Sequence, residues 1–158
     1  MSRTPLNHMD CSVAQTLDIV GEWWSLLILR NAFHGMRTFD AFQKQLEISS
    51  SVLSARLKKL TEAGVLKKVP CRDDKRSFEY RLTDAGMDLY PVLIGLMQWG
   101  EKWRPNTIGQ RILLLEKATG QPVHGAEVLS ADGRPLKAWE VQPVAGPGAD
   151  EHVHELIG

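Results

Sequence analysis

The order of segments between Phe39 and Leu82 constrains this chain more than any other feature. Phe39, Phe42 and Leu46 recur at helical spacing behind Thr38, which can cap them, and a brief turn follows. Ser49 or Ser50 then caps a second helix, in which Leu53, Leu57 and Leu60 form a narrow apolar stripe and Gly64 ends the run. The other side of that helix carries Ser50, Ser51, Ser54, Ala55 and Lys58, small side chains and a lysine that suit close approach to base edges. Val65, Leu66 and Val69, then Phe78, Tyr80 and Leu82, alternate as two strands. The loop from Cys71 to Ser77 joins them and carries Arg72, Lys75 and Arg76. A helix–turn–helix followed by a cationic hairpin places one helix in a DNA groove and a wing on the adjoining backbone.

Charge supports that reading only locally. The chain of 158 residues has no net charge, yet through Pro105 there are 15 Lys/Arg against 12 Asp/Glu, and beyond it 4 against 7. Between Arg56 and Arg81, nine basic residues face only Glu62, Asp73, Asp74 and Glu79. Local field, more than net charge, steers a protein toward phosphate.

The flanking segments supply a scaffold. Val13, Thr16, Leu17 and Val20 form one helical face after Asp10-Cys11-Ser12, and Gly21 ends it. Trp23 to Phe33 is apolar nearly all round, which predicts a buried central helix. Thr83 caps a long helix ending near Trp103, which Pro91 should bend or split. Leu89, Val92, Leu93, Leu96, Trp99 and Trp103 give it more apolar surface than one contact needs, an argument for a partner subunit. Past Pro105, Arg111 to Lys117, Val123 to Leu129 and Leu136 to Val141 read as short strands around Thr119-Gly120 and Asp132-Gly133. The expected division is a flexible arm (1–10), a winged-helix domain (11–105), a small β-rich extension (106–143) and a flexible tail (144–158). No run of about 18 uncharged apolar residues occurs, so no membrane span is expected. The polar start lacks the apolar centre of a signal peptide, which makes the cytoplasm the expected compartment.

These residues resemble the HxlR-type winged helix-turn-helix transcriptional regulators of bacteria. The likeness runs from Cys11 through Thr16 to Gly21, Trp24 to Arg30, Gly35 to Phe39, Val52 to Leu60, Glu62 to Leu66, Glu79 to Thr83, Gly86, Pro91 to Leu93 and Trp99-Gly100. It implies a mainly α, α+β fold, in which a winged helix-turn-helix domain dimerises through its long C-terminal helix. It also implies a homodimer on a palindromic operator in double-stranded DNA. DNA contacts fall by position on Arg37, Thr38, Ser50, Ser51, Ser54, Arg56, Lys58, Arg72, Lys75 and Arg76, although the side of Arg56 suits an internal salt bridge equally well. The dimer interface falls on Val13, Leu17, Leu89, Leu93, Leu96, Trp99 and Trp103.

Where many relatives have Gly-Ile-Ser before the recognition helix, this chain has Glu47-Ile48-Ser49. Some members sense oxidants or electrophiles at a cysteine matching Cys11, which starts a predicted helix whose dipole favours an anion; a small residue packed at the interface is the plainer role. An unknown small effector is the other control. In certain relatives a stretch like the extension forms a zinc ribbon, but the turns here lack thiols, so neither metal nor cofactor is expected. Nucleophile elbow, phosphate loop and dinucleotide fingerprint are all missing from the sequence, which sets catalysis aside. The alternative is a winged-helix protein-interaction module, which overall neutrality favours slightly.

Overall fold

Short polar side chains start the helices that matter. The structure, a computed structural model, describes residues 4–157, and its element order is α1 Ser12–Val20, α2 Trp23–Phe33, α3 Phe39–Leu46, α4 Ser50–Glu62, β1 Leu66–Pro70, β2 Phe78–Leu82, α5 Asp84–Met87, α6 Tyr90–Trp103 and α7 Glu151–Ile157. Thr38 accepts from Ala41 N, Ser49 from Val52 N and Thr83 from Gly86 N, each satisfying an amide that the first helical turn leaves open. Glu22 does the same for α2, accepting from Trp24 N at 3.0 Å. The chain divides into two compact units, Met1–Asp88 with Pro143–Gly158, and Leu89–Gln142.

In the first unit, α2, α3 and α4 pack on one another and α4 also meets β1. Ile28, Leu29, Phe42, Leu53, Leu57, Leu60 and Leu66 are all essentially inaccessible and make its core. α4 ends at Gly64, whose positive φ of 75° lets Val65 N bond back to Leu60 O, and the chain turns directly into β1. β1 and β2 are antiparallel, pairing Leu66 with Leu82 at one end and Pro70 with Phe78 at the other. α5 then sits so close that a Cβ on Gly86 would strike the Val65 carbonyl oxygen.

Pro91 splits the predicted long helix as expected, and it stands in the first turn of α6, where its missing N–H costs no hydrogen bond. In the second unit α6 carries the residues after Pro105. Gln98 Oε1 accepts from Ala126 N (3.0 Å), Glu101 pairs with Arg111 (3.0 Å), and Arg111 also donates to Arg104 O. The long helix thus groups with the extension, whereas the sequence grouped it with the winged helix.

Three expectations need correction. The extension forms no ladder of strands; its β structure is two isolated bridges, Leu115 with Pro122 and Leu129 with Pro135, plus one turn of 3-10 helix at Ala138–Glu140. Each bridge is flanked by two backbone hydrogen bonds, Val123 N to Leu114 O and Glu116 N to Gln121 O at the first, Leu136 N to Val128 O and Ser130 N to Arg134 O at the second, and extends no further. Of the arm, residues 1–3 lie outside the described residues, but the remainder is tied down: Leu6 N donates to Asp18, and Gln15 Nε2 to the carbonyls of Asn7 and Met9. The tail, expected to be flexible, forms α7, with Asp150 accepting from Val153 N at 2.9 Å. Residue 158 is likewise outside the described residues.

Candidate nucleic-acid interface

α4 is a two-faced helix. Leu53, Leu57 and Leu60 point into the core, fully buried, while Ser50, Ser51, Ser54, Ala55 and Lys58 are exposed. Ser49 starts it, and its hydroxyl also lies 3.4 Å from that of Ser51. The turn before it holds Glu47 at φ 53°, the one non-glycine residue with positive φ among the described residues. Ile48, beside it, is buried and pins the turn to the core. A glycine at this place would avoid the clash that a side chain suffers in the left-handed region. Here the carboxylate is exposed.

The basic residues differ in freedom. Lys58 lies 3.9 Å from Glu62 with both side chains about three-quarters exposed, a contact worth little in water, so its ammonium can reach outward. Arg56 is different: its Nε sits 2.9 Å from Glu22 Oε2, with only 30% of the side chain accessible. The N–H is not aimed squarely enough for a hydrogen bond, so this is a charge contact. Of the two roles open to Arg56 in the sequence, the structure displays the internal salt bridge.

The wing is built around Asp74. Its Oδ1 accepts from Arg76 N (2.9 Å), its Oδ2 from the Ser77 hydroxyl (3.1 Å), and its carbonyl from Ser77 N (3.0 Å). These bonds fold the loop so that Arg72, Lys75 and Arg76 all stand in solvent. Along the strands, Lys68 Nζ lies 4.6 Å from the Phe78 ring centre and 5.9 Å from that of Tyr80, which stiffens the hairpin stem. Arg81 pairs with Glu79 at 2.9 Å. Tyr80 N donates to Arg37 O at 2.7 Å, so the backbone of Arg37, just ahead of α3, is fixed to the wing. Arg37 and Thr38 are exposed, although the Thr38 hydroxyl is engaged in its cap. Asp74 and Glu22 escaped the sequence reading; Asp74-Lys75-Arg76-Ser77 carried an Asx-turn signal, whereas nothing local linked Glu22 to Arg56.

Both cysteines are partly buried free thiols. Cys11 is the N-cap of α1 and makes no capping hydrogen bond through its side chain. Burial raises the pKa of Cys71, and the carboxylates of Glu79, Asp74 and Asp73 raise it further. The Cys71 thiol therefore stays protonated at neutral pH.

Each unit carries its own uncovered apolar row. On α1, Val13 and Leu17 are exposed; on α6, Val92, Leu96, Trp99 and Trp103 are exposed at spacings of four, three and four, the period of a helix-pairing seam. Leu89 and Leu93 are half-buried beside that seam. Arg104 stacks over Trp99 (5.6 Å) and Lys102 over Trp103 (5.2 Å). In the extension, Glu116 accepts from the Thr119 hydroxyl (2.7 Å) and Asp132 from that of Ser130 (2.5 Å), so both turns are closed by polar side chains. Among the described residues no group of three His, Cys, Asp or Glu could hold a metal ion, and no helix is long and apolar enough to cross a membrane.

Comparison with known proteins adds independent findings. The sequence profile described as HxlR-like helix-turn-helix matches residues 19–108. An uncharacterized HTH-type transcriptional regulator of Mycobacterium tuberculosis is 40% identical over 137 residues, 87% of each chain. The crystal structure of PA1607, described as a candidate transcription factor, is 39% identical and superposes with a TM-score of 0.83, covering 90% of this chain and 100% of that one. The redox regulator HypR, in its oxidized form, is 26% identical with a TM-score of 0.53, covering 58% and 96%.

Proposed function

Because the chain belongs to the HxlR-like helix-turn-helix family, whose members compared above are transcriptional regulators and not enzymes, we propose that it binds a palindromic operator as a cytoplasmic homodimer. The observation that carries this reading is α4 itself: three buried leucines on one face, three exposed serines and a lysine on the other, with the basic wing in the same compact unit. Each protomer lays Ser50, Ser51, Ser54 and Lys58 in a major groove. Arg37 and the wing cations Arg72, Lys75 and Arg76 hold flanking phosphates. Two-fold symmetry sets the half-sites about one helical turn apart, or a multiple of it.

The exposed rows on α1 and α6 support pairing with a second copy, since isolated apolar surface of this extent on a monomer marks an interaction site. A signal then acts by shifting the spacing of the two α4 helices, a change of populations rather than chemistry on DNA. Two controls fit: a small effector bound in the dimer, or oxidation of the Cys11 thiol to sulfenic acid by a peroxide that is itself reduced to water. The thiol reading draws on HypR, a redox regulator, and on the place of Cys11 at the head of the helix bearing Val13 and Leu17.

Binding of labelled duplex DNA measured across a salt series tests the core of this. Affinity should fall steeply as salt rises, and one sequence should emerge strongly enriched from a random pool. Salt-insensitive or absent binding would leave the protein-interaction module, which the chain's overall neutrality favours, as the better reading. For Cys11, hydrogen peroxide should release DNA from the wild type and not from Cys11→Ser; equal release removes the thiol from the mechanism.

A further inference from the structure

Glu22 ties two elements together at one oxygen. Its Oε2 accepts from Trp24 N at the start of α2 (3.0 Å) and lies 2.9 Å from Arg56 Nε in the middle of α4. Both side chains are largely shielded, 21% and 30% accessible, so the attraction is less screened than at an open surface. At about 100° per residue, Arg56 stands roughly 160° around α4 from both Ser54 and Lys58. It therefore holds the flank of the helix away from the serines. The leucine stripe fixes how deep α4 sits, but aliphatic packing alone resists a small roll about the helix axis only weakly. A charge pair on one flank resists it directly, and α2 is a firm anchor because Ile28 and Leu29 are fully buried.

We propose that Glu22 is a positioning residue for sequence reading: through Arg56 it sets the roll of α4, and hence the aim of Ser51, Ser54 and Lys58 at base edges. The inference rests on α4 being the reading helix. It also moves Arg56 out of the phosphate contacts, since its charge is spent inside the protein.

The test compares two duplexes, the one that the wild-type protein enriches from a random pool and a scrambled version of it. Glu22→Gln keeps an oxygen for the Trp24 amide while removing the charge. It should lose about tenfold in affinity for the enriched duplex, the size of one forfeited base contact, and bind the scrambled one as before. Arg56→Gln should do the same with an unchanged salt slope, and the double variant should be no worse than either single one, because the two residues act as a unit. Loss that is equal on both duplexes, no loss on either, or additive losses would overturn the proposal. So would an Arg56→Gln salt slope flatter by about one, which assigns Arg56 to a phosphate. Should Arg56→Gln not fold by circular dichroism, Glu22→Gln decides alone. A wild type that enriches no duplex removes the DNA reading itself, whereas an enriching wild type with indifferent variants removes only this positioning role.

Discussion

Arg76 stands in solvent at the tip of the wing, and only its backbone amide is engaged there, by Asp74. On the proposed reading, an arginine so placed contributes charge to DNA binding and no base recognition. Arg76→Ala should weaken binding to all sequences alike and flatten the plot of log affinity against log salt by about one; an unchanged slope would deny it a phosphate. Glu47 carries two separable costs. Its left-handed backbone disfavours a side chain by roughly 1 kcal/mol, and its exposed carboxylate precedes the helix that, on the proposed reading, approaches phosphate. Glu47→Gly should therefore raise stability by about that amount in urea unfolding and also tighten DNA binding at low salt. A loss of stability would show that Glu47 makes a compensating contact. The sequence flagged this residue as a departure, but only the dihedral angle explains why glycine suits the place.

Among the elements, α4 depends on its apolar stripe. Leu57 is wholly buried in the core of the first unit, so Leu57→Ala should destabilise the fold by about 2–5 kcal/mol in denaturant unfolding. A cost below that range would mean that the core collapses around the gap. The helices α1 to α4, the caps at Thr38, Ser49 and Thr83, and both wing strands were legible because each rests on local chemistry, and Pro91 interrupts where it stands. The Glu22–Arg56 pair was not legible, since it joins residues far apart in sequence. The extension misled for another reason: its segments and turn signals suggested strands, but each bridge closes directly around its turn and holds only the two backbone bonds that flank it. Its turns also titrate. The Ser130 hydroxyl holds Asp132 below its ordinary 3.8. The Lys137 backbone amide, then Arg134, hold Glu140 below its ordinary 4.5. Depressed folded-state pKa values stabilise fully above the unfolded values and lose that contribution as pH falls through the folded ones. The extension should thus loosen below roughly pH 5, with the Gly133 amide resonance moving in an acid titration. In Asp132→Asn that movement should shrink; an identical titration would acquit Asp132.

For the molecule as a whole, the proposed reading turns on a second copy covering α6. Pairing through the seam predicts that Leu96→Glu with Trp99→Glu turns a dimer into a monomer in sedimentation velocity. Operator affinity should fall with it, because each half-site then binds alone. A variant that still sediments as a dimer would move the interface elsewhere. The extension, meanwhile, exposes Leu113, Leu115, Val128 and Leu129 beside two hairpin-like bends, the kind of surface on which chains stack into fibrils. Proline on the returning limb of each bend offers a passing strand no amide to grasp. An apolar flap that would otherwise be adhesive in a crowded cell is in this way kept from recruiting copies of itself.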